Sequence, residues 1–169
     1  MSKFGFHEAY LGKRLQDLLS LSHDQMFHVY RRRGLVIPVE GSSTLQAIAP
    51  GQRKAISDLS RQLGQPHQLV AQRIQKLRKM RLLEAEEDPS DRRRTEYRLT
   101  SKGEEQWNLL NALMEDAITV NRELFREIDC NLLAALERAI KALSRAGFDD
   151  RFENVDILGV GAKGLGTVS

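Results

Sequence analysis

The sequence has no run of about 18 apolar residues, the length that would let a helix cross a bilayer, so no membrane partner is expected. Its start, MSKFGFHEAY, lacks the apolar stretch of a secretory signal. A single cysteine, Cys130, excludes an internal disulfide and makes a reducing cytoplasm the default location. Four histidines, His7, His23, His28 and His67, form no i, i+4 ligand pair, and none is close to Cys130 in sequence, so no metal site is expected. No Ser-His-Asp set and no paired carboxylates stand out. The reading is therefore a non-enzyme without a cofactor.

Charge is unevenly placed. Residues 53–81 hold eight basic residues and one acid, Asp58, so this segment is +7 in a chain of net charge +3, and the remainder is −4. A basic block inside a slightly acidic chain is the footprint of a polyanion site, although a solvated helix face can look the same.

Periodicity predicts a mainly α chain of the α+β class. Leu11, Leu15, Leu18, Met26 and Val29 mark a helix over 7–33, ended by Gly34 and Pro38. Segment 41–51 reads as a short helix with Ser42 or Ser43 as N-cap and Pro50-Gly51 as stop. Ile56, Leu59 and Leu63 give a helix over about 53–63, closed by Gly64. Pro66 opens another to about Met80, with Val70, Ile74 and Leu77 inward. Two short helices around a tight glycine turn are a helix-turn-helix signature. Residues 82–88 and 95–99 then alternate as two antiparallel strands around the turn sequence DPSD. Ser101 to Glu104 has the S-x-x-E pattern of a capping box and opens a helix to about 127, roughly 40 Å long. Asp129 caps a last helix that stops near Gly147. The outer helices are too long and too apolar for one small lobe to cover, so a two-fold homodimer through them is expected.

The residues Asp88-Pro89-x-Asp91-Arg92-Arg93, followed by Leu99-Thr100 and Gly103, resemble the wing motif of the MarR family of winged-helix transcription regulators. Upstream, LSRQLGQPHQLVAQRIQKLRKMRLL (59–83) has the spacing of that family's two DNA-reading helices. The resemblance spans about residues 7–146. Three departures stand out: Arg81 occupies a position that is usually glycine, Pro66 one that is more often small and polar, and segment 41–51 is rich in Gly and Ser, which points to a short second helix. The resemblance implies a winged helix-turn-helix with long terminal dimerisation helices. It divides the chain into an N-terminal dimerisation helix (1–34), a DNA-binding lobe (35–100, reading helix about 66–80, wing about 82–100), C-terminal dimerisation helices (101–147) and a Gly-rich tail (148–169). It implies a homodimeric repressor of a pseudo-palindromic operator in double-stranded DNA, relieved by a small phenolic or aromatic acid.

Site residues follow residue by residue. By the resemblance, Arg93 enters the minor groove, where concentrated negative potential favours a guanidinium. Arg92 and Arg94 meet phosphates, and Asp91 orients an arginine. With Val70, Ile74 and Leu77 inward, Gln68, Gln72, Gln75 and Lys76 point outward; Gln pairs with adenine and Lys reaches guanine or phosphate. Ser57 and His67, near helix starts, are placed to donate to phosphate. Tyr10, Met26, Tyr30 and Trp107 are candidates to line the effector pocket, or are simply core. Gly159-x-Gly161-x-x-Gly164 looks like a dinucleotide fingerprint, but no helix and no acidic residue about 20 positions on follow it, so it reads as the Gly-rich tail. The competing reading is a winged-helix protein-interaction module that does not read DNA.

Overall fold

A computed structural model describes residues 8–87 and 94–157. The chain divides into two compact units, Met1–Asp116 and Ala117–Ser169.

In the first unit a single 3-10 turn, Glu8–Tyr10, leads into α1, Leu11–Arg32. The long apolar stripe forecast for this helix is present, but only its C-terminal end is covered: Tyr30 is 3% exposed, whereas Leu11 is 53% and Leu15 42% exposed. Gly34, at φ +73°, turns the chain after α1, a conformation that costs an L side chain energy and glycine very little.

The helix forecast within 41–51 is short, as its Gly- and Ser-rich composition indicated. A 3-10 turn, Val39–Gly41, runs into α2, Ser42–Gln46. Neither serine is its N-cap; Gly41 is. The Ser42 hydroxyl instead donates back to the Val39 carbonyl at 2.7 Å and accepts from the Tyr30 hydroxyl at 2.7 Å.

The forecast helix over 53–63 divides in two. Lys54–Ala55 is a strand, β1, and only Ile56–Leu63 is helical, α3. Gly64 closes α3 in the left-handed region. The turn is then held by the Ser60 hydroxyl donating to the Gln65 carbonyl at 2.6 Å. The next helix, α4, spans His67–Lys79 with Pro66 at its N-cap, and Val70, Ile74 and Leu77 are completely buried as forecast. Strands β2, Leu83–Glu87, and β3, Thr95–Leu99, flank the 88–93 segment. The sheet is antiparallel with order β1-β3-β2: Lys54 pairs with Tyr97 on one side of β3, and Ala85 pairs with Tyr97 on the other. A two-residue edge strand inside an amphipathic helical pattern has too few residues for alternation to show, which is why periodicity missed β1.

Helix α5, Ser101–Glu127, has the forecast limits, but its cap is one residue earlier than the S-x-x-E pattern indicated. The Thr100 hydroxyl accepts from the Gly103 N–H at 3.0 Å and donates to the Arg81 carbonyl at 2.7 Å. The Thr100 N–H donates to the Leu82 carbonyl at 3.1 Å. Gly103 lies so close to the chain just before β2 that a Cβ would come 2.0 Å from the Leu82 carbonyl oxygen. The Leu-Thr-x-x-Gly run thus has a local physical reason: it caps α5 and clamps it to the end of α4. Arg81, at the joint, has φ +60°, the conformation that a glycine would take most easily.

Leu45, Ile48, Leu59, Ile74, Leu77, Leu82 and Leu110 fill the core of this unit with no exposed surface. Buried Gln106 ties the chain after α1 to α5: its Oε1 accepts from the Val36 N–H at 2.8 Å and its Nε2 donates to the Gly34 carbonyl at 3.1 Å.

In the second unit, α6 spans Leu132–Arg145 and is capped by Asn131, whose side chain accepts from the Ala134 N–H at 3.0 Å; Asp129, the forecast cap, sits at φ +48° in the preceding turn. Gly147 does not end the helical region. A further helix, α7, Phe148–Ile157, occupies the start of the segment forecast as a Gly-rich tail. The Asp150 carboxylate accepts from the Gly147 N–H at 2.9 Å, half of a capping box, and Arg151 donates to the Ala142 and Ala146 carbonyls at 3.2 and 3.1 Å. The Gly159–Gly164 motif lies outside the described residues. Among the described residues no helix is long and apolar enough to cross a membrane.

Candidate nucleic-acid interface

The outward side of α4 is built by subtraction. Burying Val70, Ile74 and Leu77 turns Gln68, Gln72, Gln75 and Lys76 to the surface, all exposed. Together with Ala71 and Lys79 they line a shallow open groove of about 440 Å³. The glutamine face and four of the eight basic residues of the block, Arg73, Lys76, Arg78 and Lys79, therefore lie on one helix. His67 and Ser57 are exposed at the starts of α4 and α3. Pro66 offers α4 no side-chain cap, and its carbonyl accepts from Leu69 and Val70 at 3.0 and 3.2 Å. The first turn of α4 thus carries the positive end of the helix dipole without a side-chain acceptor.

Several basic residues of the block hold neighbouring elements together. Arg73 donates to the Gln65 side chain and ties α4 to the turn before it. The Arg78 guanidinium lies 5.9 Å from the centre of the Tyr97 ring and joins α4 to the sheet. Lys76 is half exposed, with its ammonium 2.9 Å from the Glu40 carboxylate. That bond holds the Glu40 carboxyl below the usual carboxylate range, with a smaller contribution from His23.

The hairpin base is laced with ion pairs. Arg98 on β3 meets Glu84 at 2.7 Å and Glu86 at 2.5 Å, and Arg53, just before β1, meets Glu86 at 3.0 Å. Arg94, forecast as a phosphate contact, is engaged by Asp58 of α3 and lies 3.5 Å from Glu96. Asp58 also approaches Arg61 at 3.6 Å. The guanidinium of Arg94 therefore braces the hairpin base against α3. Its partner was visible in the sequence as the only acid of the basic block, though not its role. Glu40 gave no such signal, being 36 residues from Lys76. Asp91, Arg92 and Arg93 lie outside the described residues.

The four effector-pocket candidates differ in their surroundings. Tyr30 belongs to the core, Met26 and Trp107 pack against it, and Tyr10 is 51% exposed at the start of α1. The Trp107 indole N–H donates to the Gln46 carbonyl at 3.2 Å. Burial pushes the Tyr30 phenol up, partly offset by its bond to Ser42. Tyr30 does line one open groove of about 410 Å³, with Phe27, Arg31, Gly34, Val36 and Ile37 among its neighbours. An aromatic wall beside a guanidinium is chemically suited to an aromatic anion.

The model of a winged helix DNA-binding domain matches residues 43–103. None of the curated proteins matches the chain by sequence. Among solved structures, the transcriptional repressor CouR bound to a 23-mer DNA duplex aligns with a TM-score of 0.63 and 22% identity, over 83% of this chain and 99% of that one. The PcaV transcriptional regulator from Streptomyces coelicolor, in complex with its natural ligand, aligns with a TM-score of 0.60 and 20% identity, over 86% and 99%. A MarR family transcription regulator aligns with a TM-score of 0.58 and 21% identity, over 84% and 93%. The chain has the winged-helix fold of MarR-type structures.

Proposed function

We propose that this chain, a winged helix of the MarR type, is a sequence-specific regulator of transcription that binds double-stranded DNA in the cytoplasm as a homodimer. The observation that carries the reading is the glutamine-lined, lysine-flanked face of α4, exposed beside a hairpin whose base is braced to α3. Gln68 and Gln72, one turn apart, meet base edges in the major groove. Gln75, Lys76, Ser57 and His67 meet bases or backbone around them. Arg92 and Arg93 extend the contact into the flanking minor groove, with Asp91 orienting an arginine. Two copies of α4 would occupy successive major grooves of a pseudo-palindrome, about one helical turn apart. The chain then acts by occlusion, as a repressor without an enzymatic step.

Dimerisation is supported by apolar surface that a lone chain leaves in water. Leu11, Leu15 and Leu18 on α1 are 42–53% exposed, and Leu133 and Ile140 on α6 are 59% and 64% exposed. The groove beside Tyr30, Phe27 and Arg31 is the best-placed site for a small phenolic or aromatic acid effector. Such a ligand regulates only if it prefers one spacing of the two reading heads.

The test is a titration against the gene's own upstream DNA with excess unrelated competitor at several salt concentrations, wild type beside Arg93→Ala. A specific regulator gives binding that survives competitor, a steep salt slope, and a loss of about 1–3 kcal/mol in the variant. Binding erased by competitor would return the protein-interaction reading to first place.

A further inference from the structure

Among the described residues, Lys76 is the one lysine of the α4 groove whose ammonium is bonded to a carboxylate from another element, Glu40 of the Val39–Gly41 turn, at 2.9 Å. Both side chains are about half exposed. An exposed pair of this kind contributes little to folding. A carboxylate at the rim of a face that meets phosphates also opposes binding of any duplex. Glu40 therefore has no evident role in stability and acts against affinity, which leaves its effect on Lys76 as the consequence to consider.

A free lysine on a DNA-facing helix is a mobile point charge that finds phosphate on any sequence. One held by a carboxylate has fewer accessible rotamers and two remaining N–H donors in a fixed region of the groove. Gln72 is one turn N-terminal to it on the same face. Among the described residues, Lys76 faces Glu40, Glu40 feels Lys76 and His23, and the other groove cation is Lys79.

We infer that Glu40 is a specificity-determining residue, which holds Lys76 away from indiscriminate phosphate contact and directs it to the base edges beside Gln72. The inference rests on the DNA-binding reading above. Removing the negative charge would release the lysine and raise affinity for DNA in general, at the expense of discrimination.

The experiment uses the full chain and two duplexes: one enriched from a random pool by the wild-type protein, and a scrambled duplex of the same composition. Glu40→Gln is expected to bind the scrambled duplex about 3- to 10-fold more tightly, with a log–log salt slope steeper by about 0.9, the value of one added phosphate contact. The enriched duplex gains less, so the specificity ratio falls. In a Lys76→Met background the same Glu40→Gln change should leave the ratio unmoved. An equal gain on both duplexes, no gain on either, or a change in the specificity ratio on Glu40→Gln that persists without Lys76 would overturn the inference. Failure of wild type to enrich any duplex would instead remove the DNA-binding reading beneath it.

Discussion

Gly103→Ala is the sharpest test of how the lobe is assembled. The added methyl would lie 2.0 Å from the Leu82 carbonyl oxygen, 3.1 Å from its carbon and 3.3 Å from the Leu99 Cβ. Backbone atoms cannot rotate aside as a side-chain end can. α5 must move outward by more than about 1 Å to restore ordinary contact, and overpacking of this kind costs about 1–3 kcal/mol. The movement stretches the Thr100 bonds to Leu82 and Arg81, each contributing about 0.5–1.5 kcal/mol. Against this, alanine in place of glycine favours a helix by up to about 1 kcal/mol. The net is a destabilisation of about 1–5 kcal/mol, read as a lower midpoint in urea unfolding at fixed protein concentration, with m unchanged. Gly12→Ala in α1 is the control. Nothing lies within 4 Å of its would-be Cβ, so the same chemical change there should stabilise by up to about 1 kcal/mol. If both glycines respond alike, the close approach of α5 to Leu82 is not what makes Gly103 necessary.

Four further outcomes are expected. Arg81→Gly, relieving φ +60°, should raise the unfolding midpoint by the equivalent of about 1 kcal/mol; a fall would mean that the arginine side chain outweighs the backbone strain. Gln106→Leu leaves the Val36 N–H and the Gly34 carbonyl unpaired and should cost about 2–4 kcal/mol, whereas near-neutral thermal melting would show that water replaces both bonds. Tyr30→Phe removes the donor to Ser42 and should cost about 1 kcal/mol in denaturant titration, a loss that Ser42→Ala in the same background should not deepen by the full single-mutant amount. Asp58→Ala should weaken binding to an enriched duplex although it removes a negative charge, because Arg94 loses its brace; tighter binding in a gel shift would refute that role.

Much of the architecture was legible because it is written in periods. Val70, Ile74 and Leu77 repeat at helical spacing and are buried, and the 101–127 helix ends where its pattern ends. What the pattern could not carry was short or reciprocal. β1 is two residues and takes its identity from pairing with Tyr97 and Glu96, more than forty residues downstream. Serine and aspartate signals at 42, 101 and 129 were each displaced to a neighbour, Gly41, Thr100 and Asn131, because several residues in a row could cap and geometry selects among them. α7 was hidden by reading Gly147 as a stop when it also begins the next helix. At the interface, the outward glutamines followed from which residues face inward. The carboxylates that restrain Lys76 and Arg94 did not, since each comes from an element far away in sequence.

The left-handed joint at Arg81, clamped by Thr100 and Gly103, has a mechanical consequence. With Arg78 against Tyr97 and Arg94 on Asp58, it ties α4 to the sheet and the hairpin base to α3. Each lobe is then a gauge of fixed width. On the proposed reading of an operator, a half-site that departed from that width would leave the adjustment to the duplex. Sequences that bend or narrow easily would be tolerated, and stiff ones rejected, at positions no side chain touches.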